Sequence, residues 1–385
     1  MKSGNSSDEA VPELASEVEA SKRVLDVKSS QKKATSVASG VTNPAPSSSS
    51  SNRFMPSRSF LFTKHLVFIV FVIVFGIIGH RLLWPSHAEE TSSGTNIDTS
   101  SKTAVNDAYW SLWNPAMTTS AGWTGSVKPC DAGTMMATAR NSEVDAINFV
   151  RRLQRLKPIS ARDSAANNAA MKASLIVEAN GAPNHSPPAT GPGSTCYSSE
   201  GAAVSAQSNL GIDYVVSTPD STPVGVLVKG YLDERIPPAE NKTLGHRRRL
   251  SYPDANVFGI GTTAHASAIR VIGLSTSAAN PSPDVMWPTG GYFPKQLAPH
   301  TWSLTGSRTT ADFSAATLKV THNGNVIKGI DKYVTDPRYG PLPTLAWSMP
   351  FQYDKSGGYI VTVGNIKGDG ATRISYKVRF FDPVQ

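Results

Sequence analysis

Clustered charge is the first feature that this sequence lacks. Only 17% of its 385 residues are charged, and the formal net charge of +8 is spread along the chain. The only run of three basic residues is Arg247–Arg249, in the segment GHRRRL. A nucleic-acid-binding surface would need a second basic cluster or interleaved aromatic side chains, and neither accompanies this run. We therefore predict that nucleic acid is not a partner.

Sequence motifs of the common enzyme families are also missing. The chain has no G-x-S-x-G nucleophile elbow, no H-E-x-x-H zinc motif, and no Walker or dinucleotide-binding glycine pattern. The glycine-rich stretch VFGIG lacks the strand-then-helix setting of a phosphate-binding loop. The sequence therefore gives no direct indication of serine-hydrolase, metalloprotease or nucleotide chemistry.

Long apolar runs are scarce, and the one that is present lies near the N-terminus. Leu66–Gly79 is uninterrupted, and extension to Trp84 brings it near the ~20 residues of a membrane helix. Basic residues precede this run and acidic residues follow it, which predicts a cytosolic N-terminus and an extracytoplasmic remainder. We predict a single-pass transmembrane signal-anchor at 61–84. The alternative is a signal peptide cleaved after Ala88, with secretion of the rest.

Polar segments flank this apolar run on both sides. Residues 1–59 are rich in Ser, Ala, Glu and Lys. A segment of this composition cannot bury enough apolar surface to offset the entropy of ordering, so we predict that it is disordered. Residues 85–103 are predicted to be a polar linker.

Cysteine is nearly absent. The two cysteines, Cys130 and Cys196, both follow the apolar run. An even pair in an exported chain predicts one disulfide, here closing a loop of about 65 residues. The alternative is two unrelated buried thiols.

The region 104–278 mixes helical and strand patterns. Val144, Ile147 and Val150 recur at helical spacing, and Pro158 ends that run. Helices alternating with a few strands predict an α/β layered domain. The further predicted elements are helices over 160–181, 200–211 and 222–234, and paired strands over 256–263 and 268–275.

The region 285–385 has no helical period. Asn323 and Gly324 form a hairpin signal between two alternating runs. Residues 359–366 and 374–382 also alternate cleanly between apolar and polar positions. We predict an all-β sandwich for this region.

A fixed order of short motifs in the first of these regions resembles a known superfamily. NHSPP is followed by SAQSNLG, YLDE, GHRRRLSYP and VFGIG. Over about residues 142–273 the series resembles the bacterial branch of the CAP superfamily, which comprises cysteine-rich secretory, antigen 5 and pathogenesis-related proteins. The resemblance implies a three-layer α-β-α sandwich. The predicted fold class is therefore α/β, with a C-terminal all-β sandwich, a disordered N-terminus and one transmembrane helix.

The resemblance also implies a cleft that holds two histidines and two acids. His185 in NHSPP and His246 in GHR match the two histidines. Asp233 matches the acid that precedes the second histidine, with Glu234 as a near alternative.

The second acid of the superfamily pattern is missing from its usual place. Ser208 stands where the acid precedes the asparagine of a G-E-N stretch, and Asn209 matches that asparagine. Glu200, one to two helical turns upstream, is a candidate substitute. The predicted ligand-cleft residues are therefore His185, Glu200, Ser208, Asn209, Asp233 and His246.

Zinc is the cofactor that this set of residues would suit. Neutral imidazole nitrogens of His185 and His246 bind divalent metals, and nearby carboxylates fix the ring tautomers. The alternative is a polar cleft that needs no metal.

Two functions follow from the resemblance and are kept open. We predict a non-enzymatic binding module for a small apolar ligand or an extracellular protein, because Ser208 replaces an acid. The alternative is a metal-assisted hydrolase or peptidase that uses His185 and His246. A purely structural envelope protein is a third interpretation.

Overall fold

The structure is a computed structural model that describes residues 96–213, 221–234, 242–278, 283–350, 353–368 and 370–385. The predicted disordered segment 1–59 and the predicted anchor 61–84 lie outside these residues. No helix in the described ranges is long and apolar enough to cross a membrane. The two longest have 17 residues each and carry charged side chains. The predicted fold class is corrected accordingly: the residues that the structure describes form helices and β-sheets, and none of these helices could span a membrane.

Most helices precede the strands in the chain. A π-helical turn, Tyr109–Trp113, and a 3-10 turn, Asn114–Met117, continue the first helix. The α-helices are α1 Lys102–Ala108, α2 Ala137–Leu153, α3 Ser164–Asn180, α4 Ser199–Ser205, α5 Val224–Asp233 and α6 Gly245–Leu250.

The strands form three sheets. The strands are β1 Ser208–Ile212, β2 Gly259–Thr262, β3 Ala266–Arg270, β4 Val285–Trp287, β5 Gly291–Pro294, β6 Thr301–Thr305, β7 Thr317–His322, β8 Asn325–Val326, β9 Asp331–Val334, β10 Thr344–Ser348, β11 Gly358–Gly364 and β12 Arg373–Phe381. Further 3-10 turns are Lys295–Leu297 and Pro337–Tyr339.

The smallest sheet is antiparallel, in the order β1-β3-β2, and has helices on both faces. Helix α3 covers one face, while α2 and α5 lie against the other. Gly261 on β2 permits the close approach of α3, because a Cβ there would lie 2.2 Å from the backbone nitrogen of Met171. The glycines of VFGIG therefore serve helix–strand packing.

The two larger sheets form a β-sandwich. Their strand orders are β4-β6-β10-β9 and β5-β12-β11-β7-β8, and all neighbouring strands are antiparallel except β5 and β12. The hairpin prediction is confirmed, since Asn323 and Gly324 connect β7 to β8 with φ of 49° and 87°. Aromatic side chains fill the space between these sheets, among them Trp287, Phe293, Trp302, Trp347, Tyr359 and Phe380.

Helix α3 begins and ends at residues whose types favour helix ends. Asp163 is the N-cap, and its carboxylate accepts from the Ala166 N–H. Gly181 ends the helix in the left-handed conformation with φ of 69°. The predicted helix over 200–211 is wrong in its second half, because α4 ends at Ser205 and β1 begins at Ser208. Pairing with β3 satisfies the backbone of SNLG there.

The disulfide prediction is confirmed. Cys130 and Cys196 are bonded, with an S–S distance of 2.07 Å and a Cα–Cα distance of 5.2 Å. The bond joins the segment before α2 to the segment before α4, and it therefore encloses α2 and α3.

Candidate functional site

His246 lies on helix α6 and faces a buried carboxylate. The segment GHRRRL forms a six-residue helix. His246 Nδ1 lies 3.4 Å from Oε2 of Glu234, whose side chain is 2% exposed. The Tyr231 ring packs edge-on against the imidazole, with 5.2 Å between ring centroids. Glu234, the near alternative at this position, is thus the acid beside the histidine.

The end of helix α5 explains why Glu234 faces His246. Helix α5 ends at Asp233, and Glu234 follows in the left-handed conformation with φ of 48°. The Glu234 N–H still donates a hydrogen bond to the Gly230 carbonyl, while the Glu234 side chain accepts one from the backbone of helix α6. Asp233 forms an ion pair with Lys229 one turn earlier on the same helix.

Glu234 is held as a carboxylate although it is buried. Burial alone would raise its pKa. The charge and hydrogen bond of His246, the Arg247 N–H and the Arg247 guanidinium outweigh burial, so the pKa lies below its usual value. The Arg247 N–H donates to Glu234 Oε1 at 3.0 Å. Glu234 is therefore a fixed negative charge that orients the His246 ring.

Asn209 and Ser208, adjacent on β1, have different roles. Asn209 Nδ2 donates to the His246 carbonyl at 3.0 Å, which ties β1 to helix α6. The Ser208 hydroxyl donates to the Val204 carbonyl at 2.7 Å and is directed at helix α4. Ser208 therefore caps the end of α4 and takes over no role of the missing acid.

His185 is anchored at the same place in the fold. Its Nδ1 lies 2.9 Å from the Ser205 carbonyl oxygen, at the end of helix α4. A carbonyl oxygen only accepts, so Nδ1 carries the proton and Nε2 carries the lone pair. Ser205 and Asn209 are four residues apart, so the segments of both histidines are attached to one short stretch of chain.

Glu200, the proposed substitute acid, lies in the first turn of helix α4. It forms an ion pair with Lys172 of α3, and its side chain is 51% exposed. The structure thus brings Asn209, Glu234 and His246 together around α6, and places Glu200 in a surface ion pair.

No protein-family model matches the chain. No significant match occurs among the curated proteins or among the solved structures. The resemblance to the CAP superfamily therefore rests on the sequence motifs alone.

Whether the two histidines suit a zinc ion depends on which nitrogen of each ring carries the lone pair. His185 Nδ1 faces a carbonyl oxygen and His246 Nδ1 faces a carboxylate, so in each neutral ring Nε2 is the nitrogen that carries the lone pair. Such oxygen partners are typical of zinc-binding histidines. Within the described part of the chain, no group of three or more His, Cys, Asp or Glu side chains surrounds a metal position. The described residues thus offer two suitable nitrogens and no third protein ligand.

Glu143 is a chemically unusual residue that the sequence analysis missed. It is fully buried on helix α2, where Thr262 Oγ1 donates to Oε2 at 2.8 Å and Ser267 Oγ to Oε1 at 3.4 Å. Burial raises its pKa from 4.5 to about 7, against the lowering effect of these bonds and of Arg140. In the sequence, Glu143 stands one turn before Ile147 on the apolar face of the helix, and this position indicates that its side chain is buried.

Replacement of Glu143 with glutamine is expected to remove a pH dependence of stability. The folded pKa lies above the unfolded value, so the folded wild type binds the extra proton and loses stability as pH rises from about 4.5 to about 7. The loss should approach about 3 kcal/mol. Urea unfolding of wild type and Glu143→Gln across this pH range measures the difference. Parallel profiles for the two proteins would contradict the prediction.

Two of the three arginines of GHRRRL, Arg247 and Arg248, are buried structural residues. Arg247 donates to the Leu232 carbonyl at 2.7 Å and the Thr301 carbonyl at 2.9 Å. Arg248 donates to the carbonyls of Asp336 at 2.7 Å and Leu342 at 2.9 Å. These bonds connect helices α5 and α6 to the β-sandwich, so the arginines hold the two parts of the fold together.

Proposed function

We propose that the chain is an exported, non-enzymatic binding module. We further propose that His185, Glu234 and His246 line its ligand site, which we call the histidine site. Support comes from the common attachment of both histidine segments to residues 205–209. A ligand held there would meet two imidazole edges and one fixed negative charge.

Binding is favoured over hydrolysis because the candidate catalytic side chains already form hydrogen bonds or ion pairs with other residues. Ser208 donates to a helix carbonyl, Asp233 pairs with Lys229, and Glu200 pairs with Lys172. A hydrolase needs a nucleophile or an activated water next to its general base. Among the described residues, Glu234 is the one carboxylate beside His246, and it already accepts two hydrogen-bonding groups.

The disulfide supports the exported part of the proposal. Disulfides such as Cys130–Cys196 form and persist in oxidising compartments outside the cytosol. The proposed ligand class, a small apolar molecule or an extracellular protein, rests on the CAP resemblance of the motifs around His185 and His246.

The binding proposal predicts a loss of ligand affinity in a histidine variant. Dansyl-undecanoic acid serves as the apolar probe, and its fluorescence should rise saturably when it binds the wild-type chain. His246→Ala should weaken this binding by about tenfold, because the imidazole and its orientation by Glu234 are both lost. Arg308→Ala, an exposed charge change, is the matched control. No saturable response in the wild type would contradict the proposal for apolar ligands.

The same variants separate binding from hydrolysis. Labelled casein is incubated with each protein, with and without added zinc, and zinc affinity is measured by calorimetry. The binding proposal expects no casein cleavage in either condition. Cleavage by the wild type that disappears in His246→Ala, together with zinc affinity lost in His185→Ala and weakened below about pH 6, would favour the hydrolase instead.

A further inference from the structure

The outer face of the five-stranded sheet carries a group of basic side chains. Lys377 and Arg379 alternate along β12 with the buried Val378, so they point away from the sandwich core. Arg373 shares this face because it is four residues before Lys377. Lys319 of β7 joins them, since the cross-strand register places it opposite Thr362 and Thr362 opposite Ser375. We call Lys319, Arg373, Lys377 and Arg379 the basic face.

These four charges are not neutralised within the described part of the chain. None of them forms an ion pair with a described residue, and Lys319, Arg373 and Lys377 are exposed. Arg379 lies over the Tyr292 ring at 5.4 Å from its centroid. No outward-pointing residue of β7, β11 or β12 that contacts the four is acidic. The basic face therefore has an uncompensated positive potential.

Acidic side chains near the ends of these strands already have partners. Asp382, just after β12, pairs with Lys295 at 2.7 Å. Asp354, before β11, accepts from Ser356 and lies 3.7 Å from His322. Asp382 is therefore neutralised by Lys295, and Asp354 is engaged by Ser356 and His322, so neither carboxylate pairs with a cation of the basic face.

The basic face also carries glycines and hydroxyl groups. Strand β11 lies at the centre of the basic face. Its two end residues, Gly358 and Gly364, add no side chain to this face. A Cβ at Gly358 would lie 2.9 Å from Lys377 Cε, so the glycine lets the lysine stem lie across the sheet. Between the cations, the hydroxyls of Thr362 and Ser375 are hydrogen-bonded at 3.0 Å. The basic face thus combines cationic side chains with hydroxyl groups that lie between them.

We propose that the basic face binds an anionic polysaccharide that bears uronic-acid carboxylates. Strand geometry spaces Lys377 and Arg379 by roughly 7 Å and Arg373 and Lys377 by roughly 13 Å, which suits repeated charges on one extended chain. The hydroxyls between them match the hydroxyl groups of sugars.

Other anionic partners fit the basic face less well. Tyr292, the aromatic residue at its border, is covered by Arg379, so no ring is presented for the base stacking that single-stranded nucleic acids need. Its exposed apolar side chains are Ile360 and Val326, and two aliphatic side chains offer little apolar area for insertion into a membrane. The basic face shares no residue with the histidine site, so the two proposals can fail separately.

The test compares the full chain with a charge-reversed variant. Polygalacturonate is the probe, and its affinity is measured by calorimetry for the wild type and for Lys319→Glu/Lys377→Glu. We expect the double variant to bind about tenfold more weakly or worse, because two attractions become repulsions. Wild-type affinity should also fall as salt rises from about 50 mM to about 200 mM.

A matched control separates this face from net charge. Lys157→Glu/Lys332→Glu changes the charge equally at exposed positions on other surfaces, and should bind like the wild type. Thermal unfolding of both double variants checks that they fold. Equal polygalacturonate affinity in all three proteins would overturn the proposal. Tighter wild-type binding to phosphatidylglycerol vesicles or to single-stranded DNA than to polygalacturonate would overturn it as well.

Discussion

Arg247→Ala is expected to lower the free energy of unfolding by about 3–5 kcal/mol. The Arg247 side chain is buried, with 2% of the residue exposed. Its guanidinium donates to the Leu232 and Thr301 carbonyls and, at 3.3 Å, to the Ser303 hydroxyl. Its removal leaves buried acceptors without a donor and also removes the cation near Glu234. The loss therefore combines unsatisfied hydrogen bonds with a weaker compensation of the buried Glu234 charge.

Urea unfolding measures this effect, and two variants sharpen it. Arg308→Ala removes an exposed arginine and should change stability by less than about 0.5 kcal/mol. Arg247→Lys keeps the charge but cannot reach all three acceptors, so it should fall between alanine and wild type. A loss below about 1 kcal/mol in Arg247→Ala would show that the arginine is dispensable for joining the helices to the β-sandwich.

The Arg247 variant should leave the histidine site largely intact. Glu234 Oε1 accepts from the backbone N–H of Arg247, which alanine retains. The Glu234–His246 contact then persists in the folded molecules. Probe binding measured at a temperature where the variant is folded should consequently stay close to that of the wild type.

Removal of the disulfide is the second change with a large expected effect. The Cys130–Cys196 bond closes a loop with a sequence separation of 66. In the chain-entropy treatment a loop of this length is worth about 4 kcal/mol, because the unfolded chain is constrained. Cys130→Ser/Cys196→Ser should therefore be destabilised by about that amount.

The measurement pairs unfolding with thiol titration. The unfolded, non-reduced wild type should show no reactive thiols, and reduction of the wild type should reproduce the stability of the double serine variant. Two reactive thiols before reduction would contradict the bond. Equal stability of the wild type and the double variant would mean that the loop is already restricted in the unfolded chain.

Local signals in the sequence were sufficient for several elements. Asp163 and Gly181 bound helix α3 because a carboxylate cap and a left-handed glycine act within one turn of chain. Asn323 and Gly324 set the β7–β8 hairpin because both take positive φ at little energetic expense. The even number of cysteines, together with the predicted export of the chain, likewise predicted the disulfide.

The candidate site needed more than local signals. The sequence indicated His185 and His246 but ranked Asp233 ahead of Glu234. A single residue at the end of helix α5 decides between them, because the left-handed turn at Glu234 changes the direction of its side chain. His246 and the Arg247 N–H then keep the buried Glu234 side chain charged, an effect that depends on residues outside helix α5.

The sequence by itself determined the helix caps, the hairpin, the alternating strands and the pair of histidines, since each depends on interactions within a few residues. The tertiary structure alone decided three other features. SNLG became strand β1 because β3 offered backbone partners. Glu143 gained its raised pKa because helix α2 buries it against β2 and β3. Arg247 and Arg248 became buried because the β-sandwich carbonyls surround them. Such long-range contacts override local preference, since pairing and desolvation energies exceed the few tenths of a kcal/mol that separate most residue propensities.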